Sequence, residues 1–134
     1  MISIWRLMAG LFGLAPILPA QAQGDDVAVI ENAALTMRAG DNIWRDTGDG
    51  EVSIIVSIPM QMAFVYRDGR LIGASTVSTG RPGKDTPTGS FRVLEKAVFH
   101  RSNIYSNAPM PYMQRLTWSG IAMHAGHLPG YPAS

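Results

Sequence analysis

The sequence contains no cysteine. That excludes a disulfide, a thiolate metal site and a cysteine nucleophile within these 134 residues. Charge of one sign is missing too: 11 basic residues face 10 acidic ones, for a formal charge of +1. There is no basic block, so nucleic acid is not the expected partner. Only 16% of residues are charged, yet 46% are hydrophobic, which argues against a wholly disordered chain. No apolar run is long enough to span a bilayer comfortably. Glycine (14) and proline (9) are plentiful, which suits a turn-rich β protein better than a helical bundle.

The N-terminus reads as an export signal. Arg6 supplies a positive n-region, Leu7 to Leu18 an apolar core, and Ala20-Gln21-Ala22 a small-x-small cleavage site. The polar run Gln23-Gly24-Asp25-Asp26 follows. Residues 1–22 are therefore predicted to be removed, leaving an exported protein of the periplasm or cell wall. No lipid-attachment cysteine or second apolar span implies a stable membrane anchor. Without Arg6, basic and acidic residues balance at ten each.

Residues 23–50 form an N-terminal arm or linker in this reading. Val27 to Arg38 fits a short helix or an irregular arm, and Gly40 to Gly50 a loop. From residue 51 the β signal strengthens. Val52, Ile54 and Val56 suggest one strand, and Met60, Met62, Phe64 and Tyr66 the next. Asp68-Gly69 then predicts a type I′ hairpin turn, because both central positions need positive φ. Leu71 to Ser78 is the return strand. Gly80 to Gly89, with three glycines and two prolines, is a shaped loop. It lacks the Gly-Lys-Ser/Thr ending of a phosphate-cradling loop. Ser90 to Val98 and Leu116 to His124 read as further strands, separated by an irregular excursion over 101–115. The predicted core comprises Met60, Phe64, Val65, Leu71, Val77, Phe91, Val93, Trp118 and Ile121.

Three histidines, His100, His124 and His127, are the candidates for acid–base work. His124 and His127 lack helical spacing and a third ligand, so no metal site is expected. His124 ends a predicted strand at a Gly/Pro loop, where an imidazole can be held firmly and still reach a cleft. Imidazole titrates near neutrality, which suits a general base. The residues alone equally fit a hydrogen-bonded structural histidine.

Several separated segments then fall into a familiar order. Val77-Ser78-Thr79-Gly80, Thr86-Pro87-Thr88-Gly89-Ser90-Phe91, Met110-Pro111-Tyr112 and Trp118-Ser119-Gly120-Ile121-Ala122-Met123-His124-Ala125-Gly126 together resemble the L,D-transpeptidases of the YkuD/ErfK type. The likeness covers residues 51–134. It implies a mostly β fold, a sandwich-like or barrel-like mixed sheet with a short helix. It also implies acyl transfer at the L,D bond of peptidoglycan stem peptides, through a cysteine thioester, without a cofactor. The resemblance assigns the base to His124 and an orienting backbone carbonyl to Ala125. It offers Tyr112, Arg115 and Gly126 as substrate contacts.

Leu128-Pro129-Gly130-Tyr131-Pro132-Ala133-Ser134 resembles the run into that family's Ser-His-Gly-Cys motif, with Ser134 as its serine. The thiol is not in the sequence, so the domain is expected to be incomplete at its C-terminus and this chain inactive in acyl transfer. Two alternatives accompany that expectation. One is a non-catalytic exported peptidoglycan-binding remnant, and the other a structural β-domain.

Overall fold

The computed structural model describes residues 2–4, 20–45 and 48–128, with side chains described from Gly24 onward. Most of the expected export signal and the run from Pro129 to Ser134 lie outside the described residues. Among the described residues, no helix is long and apolar enough to cross a membrane.

The fold is mostly β: two sheets and one helix. The element order is β1 (Ile2–Ile4), α1 (Ala20–Ala34), β2 (Asn42–Trp44), β3 (Val52–Ser57), β4 (Met62–Arg67), β5 (Arg70–Thr76), β6 (Phe91–Arg92), β7 (Glu95–Ala97), β8 (Met113–Arg115) and β9 (Ala122–Met123). The larger sheet runs β2-β5-β4-β3-β1-β6, the smaller β7-β8-β9. Pairing is antiparallel except between β1 and β6.

The β4–β5 hairpin follows from its turn. Asp68 (φ 48°) and Gly69 (φ 81°) both take left-handed backbone, as a type I′ turn demands. Glu51 N–H donates to Asp68 Oδ1 at 2.9 Å, tying the turn to the start of β3. A bulge between Val65 and Tyr66 shifts the register, leaving Ile72 unpaired in the ladder. Arg45 N–H takes up the Ile72 carbonyl at 2.7 Å.

Helix α1 covers one face of the larger sheet. Val27, Ile30, Ala34 and Met37 recur at helical spacing and meet Met62, Phe64, Tyr66, Leu71 and Ala74. Ile30 is fully buried there. Asp26 pairs with Arg70 at 3.2 Å and pins the helix near the hairpin turn. At the other end Gly40 N–H donates to Thr76 Oγ1 at 2.9 Å. Burying this apolar stripe is what makes a helix of modest intrinsic propensity stable.

Five expectations change. Met113–Arg115, read as part of the irregular excursion, pairs with β7 and β9 as β8. Asn42–Trp44, read as loop, pairs with β5 as an edge strand. The stretch 90–98, read as one strand, divides between the sheets as β6 and β7. Residues 116–121, read as strand, are a turn: Leu116 N–H and Thr117 N–H both donate to Ile121 O. Met60 and Trp118, expected in the core, are 56% and 77% exposed. Met60 sits in the β3–β4 turn and Trp118 in the β8–β9 turn, so neither follows strand alternation.

Candidate active site

His124 directly follows β9. Its Nδ1 lies 2.8 Å from Ala125 O. A carbonyl only accepts, so Nδ1 carries the proton and the Nε2 lone pair of the neutral ring is open. Ala125 N–H in turn donates to Pro111 O at 2.8 Å, and Tyr112 N–H to Val98 O at 2.9 Å. The Met110–Pro111–Tyr112 segment therefore holds the backbone that holds the imidazole. His124 is exposed, so Nε2 has access to a reactant.

Sheet register places the neighbours. Glu95 opposes Arg115, Arg115 opposes Ala122, and Ala97 opposes Met113. Directly opposed residues share a face, and residues two apart on one strand share it too. Glu95, Ala97, Met113, Arg115 and Ala122 thus line one face, and His124 follows directly after β9. Met113 is buried, anchoring that face from below. Arg115 Nε donates to Glu95 Oε2 at 2.7 Å.

The other predicted contacts sit close by. Gly126 adjoins the His124 ring: a Cβ there would lie 3.8 Å from Cε1 and Nδ1. Tyr112 takes a left-handed backbone (φ 54°) immediately before β8, with its ring exposed. His127 is exposed three residues beyond His124, and His100 lies across the excursion, where its carbonyl accepts from Met110 N–H.

Two further loops are shaped by their own hydrogen bonds. Gln61, itself at φ 52°, reaches over to Thr79. Its Nε2 donates to Thr79 Oγ1 at 2.7 Å and to Ile58 O at 2.7 Å, and its Oε1 accepts from Thr79 N–H at 3.0 Å. The Thr79 side is buried, so the clamp satisfies groups that water does not reach. The next turn closes with Gly80 N–H on Thr86 Oγ1 at 2.8 Å. A Cβ at Gly80 would overlap the Lys84 carbonyl, so only glycine fits. In the excursion, buried Ser102 accepts from Ile104 N–H and Tyr105 N–H. Lys84 Nζ stands 5.1 Å from the centre of the Tyr105 ring, bracing one loop against the other.

A cleft of about 570 Å³ lies elsewhere, between the end of α1 and β4–β5, and Met37, Met60, Met62, Phe64 and Leu128 are among its lining residues. None of His124, Tyr112, Arg115 or Gly126 lines it. His124, with Nδ1 on Ala125 O, stands apart from this cleft at the end of β9.

Comparison with known proteins accords with this geometry. The YkuD family model, an L,D-transpeptidase catalytic domain, matches residues 51–134. This chain belongs to that family. An L,D-transpeptidase (Yku) from Stackebrandtia nassauensis, known from its crystal structure, shares the fold with a TM-score of 0.53 and 24% identity. The match covers 64% of this chain and 42% of that one, so the chain corresponds to less than half of that transpeptidase. No curated protein matches.

Sequence reasoning singled out His124, Tyr112, Arg115 and Gly126 and missed Gln61, Glu95 and the Pro111 carbonyl. A backbone acceptor leaves no mark in a sequence. Gln61 and Glu95 act through partners 18 and 20 residues away, which only the strand pairing brings together.

Proposed function

We propose that this chain carries the histidine-bearing part of a peptidoglycan L,D-transpeptidase. The reaction is acyl transfer at the stem-peptide L,D bond by way of a cysteine thioester. His124 Nε2 takes the thiol proton as the sulfur attacks, and the resulting imidazolium stays anchored through Nδ1–H to Ala125 O. The same proton then passes to the leaving amine. Tyr112 and Gly126 border the site where the stem peptide lies. The observation that supports this reading best is the His124–Ala125 hydrogen bond, which fixes the tautomer a base requires.

The thiol is not among these 134 residues. In this reading the chain alone binds stem peptide without forming the thioester. The test is the intact mass after incubation with a disaccharide tetrapeptide. The 134-residue chain should show no gain. The same chain extended beyond Ser134 by a segment that begins His-Gly-Cys should gain one acyl group, and His124→Ala should abolish that gain. An adduct on the chain alone, or an undiminished adduct in the extended His124→Ala chain, would refute the assignment.

We also place the protein outside the cytoplasm, in the periplasm or cell wall, after cleavage behind Ala22, which removes β1 and with it the pairing that joins β6 to β3. N-terminal sequencing of the native protein should begin at Gln23. An intact Met1 terminus would oppose export by a cleaved signal.

A further inference from the structure

The ladder of the smaller sheet does not stop at β7 and β8. Tyr112 N–H donates to Val98 O, Met110 N–H to His100 O and Ser102 N–H to Ala108 O, each at 2.9 Å, in the register that pairs Ala97 with Met113. The excursion thus continues the two strands as a ribbon. Its tip is fixed as well. Ala108 N–H donates to Tyr105 O at 2.8 Å across Ser106 (φ 45°) and Asn107 (φ 60°), the left-handed pair that a type I′ turn requires. Ser102 Oγ accepts from Ile104 N–H at 3.1 Å and from Tyr105 N–H at 2.9 Å. Backbone hydrogen bonds therefore hold in place the side chains that the ribbon exposes.

Those side chains are apolar. Phe99 is 91% exposed, and Val98, Ile104 and Tyr105 are between 48% and 58% exposed. Cations stand among them. Arg101 Nη1 donates to Asn107 O at 3.1 Å, and Lys84 Nζ lies over the Tyr105 ring. Both residues are exposed. Carboxylates are scarce on this side of the chain: none occurs from Lys96 to Ser134, and eight of the ten lie in residues 23–76. The other two are Asp85, which adjoins Lys84, and Glu95, which is engaged by Arg115.

The geometry points to reversible docking of this ribbon on an anionic lipid surface. Phe99, Val98, Ile104 and Tyr105 enter the interface, and Lys84 and Arg101 meet the lipid phosphates. Apolar burial and phosphate attraction then act together, as in other proteins that lie on a membrane without spanning it. A hydrated anionic polymer would meet the cations without taking four apolar side chains out of water. A second copy, paired through the same patch, would set the cations against one another. A lipid surface satisfies both parts of the patch. Docking of this kind is independent of acyl transfer.

The absence of cysteine permits a single-site label. In the full chain, Ser106→Cys carries an environment-sensitive fluorophore at the tip. Leu35→Cys carries it on the far side of α1's apolar stripe, at a position 81% exposed, as the control. Each is titrated with vesicles of equimolar phosphatidylglycerol and phosphatidylethanolamine, and with vesicles of phosphatidylcholine. The Ser106 label should brighten and shift to the blue with the anionic vesicles. It should need about twentyfold less of that lipid than of phosphatidylcholine, since each cation at the surface is worth about fivefold. The Leu35 label should stay unchanged, which separates docking by the ribbon from adsorption through the apolar residues near the N-terminus. Lys84→Gln with Arg101→Gln should abolish the preference for anionic lipid. Phe99→Ser should raise the lipid requirement about tenfold with either vesicle. Added salt should weaken the anionic response without any substitution. Equal responses to the two vesicles, silence at Ser106, or an equal response at Leu35 would overturn the docking surface. A Ser106 response to purified peptidoglycan but not to vesicles would assign the patch to the wall polymer and overturn it too. A Ser106 signal that grows with protein concentration before lipid is added, with no further change on adding vesicles, would assign it to a second copy and do the same.

Discussion

Replacing Ile30 by alanine tests whether the helix outside the family-matched region is part of the domain. Ile30 is fully buried against Met62, Leu71 and Ala74. Truncation removes three carbon atoms, about 2.4 kcal/mol of transfer free energy at about 0.8 kcal/mol each. The cavity left between helix and sheet adds to that, so a loss of about 3 kcal/mol is expected, inside the range for such core truncations. With a urea dependence of about 2 kcal/mol per molar, the midpoint should fall by about 1.5 M at unchanged slope. The assay is urea unfolding followed by far-UV circular dichroism. Leu35→Ala, at a position 81% exposed, is the control and should leave the midpoint nearly unmoved. A loss below about 0.5 kcal/mol for Ile30→Ala, the range of ordinary surface substitutions, would mean that α1 does not pack on β4 and β5.

Three further outcomes follow from the loops and the base. Gln61→Ala strands buried groups of Thr79 and should cost about 2 kcal/mol, with faster hydrogen exchange at the Thr79 amide; unchanged exchange would contradict the clamp. Gly80→Ala drives a methyl into the Lys84 carbonyl. It should cost about 1–3 kcal/mol and move amide signals across residues 78–88, whereas a silent spectrum would mean the turn is closed differently. The imidazole nitrogens of His124, read by long-range proton–nitrogen correlation at alkaline pH, should show the Nδ1–H tautomer; the Nε2–H form would remove the open base.

What the sequence disclosed depended on how local the cause was. Asp68-Gly69 announces its hairpin because the steric demand sits in those two residues. His124 stood out because a whole series of motifs leads to it. Helix α1 was half legible: Val27, Ile30, Ala34 and Met37 carry the period, but short polar and small residues between them blur it. β8 was hidden in an asparagine- and proline-rich stretch, since a three-residue strand is defined by its partners rather than by its composition. Trp118 misled for a related reason. Alternation predicts burial only within a strand, and the hydrogen bonds from Leu116 and Thr117 to Ile121 end the strand before it. Glu95 and Gln61 gain their roles from distant partners, and nothing adjacent in sequence records that.

The division of one stretch between two sheets has its own consequence. Phe91–Arg92 joins the larger sheet through β1, before any cleavage behind Ala22, and Glu95–Ala97 belongs to the smaller, with only Val93 and Leu94 between them. Those two residues set the phase of one sheet against the other. Because side chains alternate with a period of two, a single inserted or deleted residue at this joint must be absorbed either within the joint or by a one-residue slip of β7 against β8, and such a slip would turn Glu95 away from Arg115. The length of the joint, rather than the identity of its residues, is therefore what divergence in this chain can least afford to change.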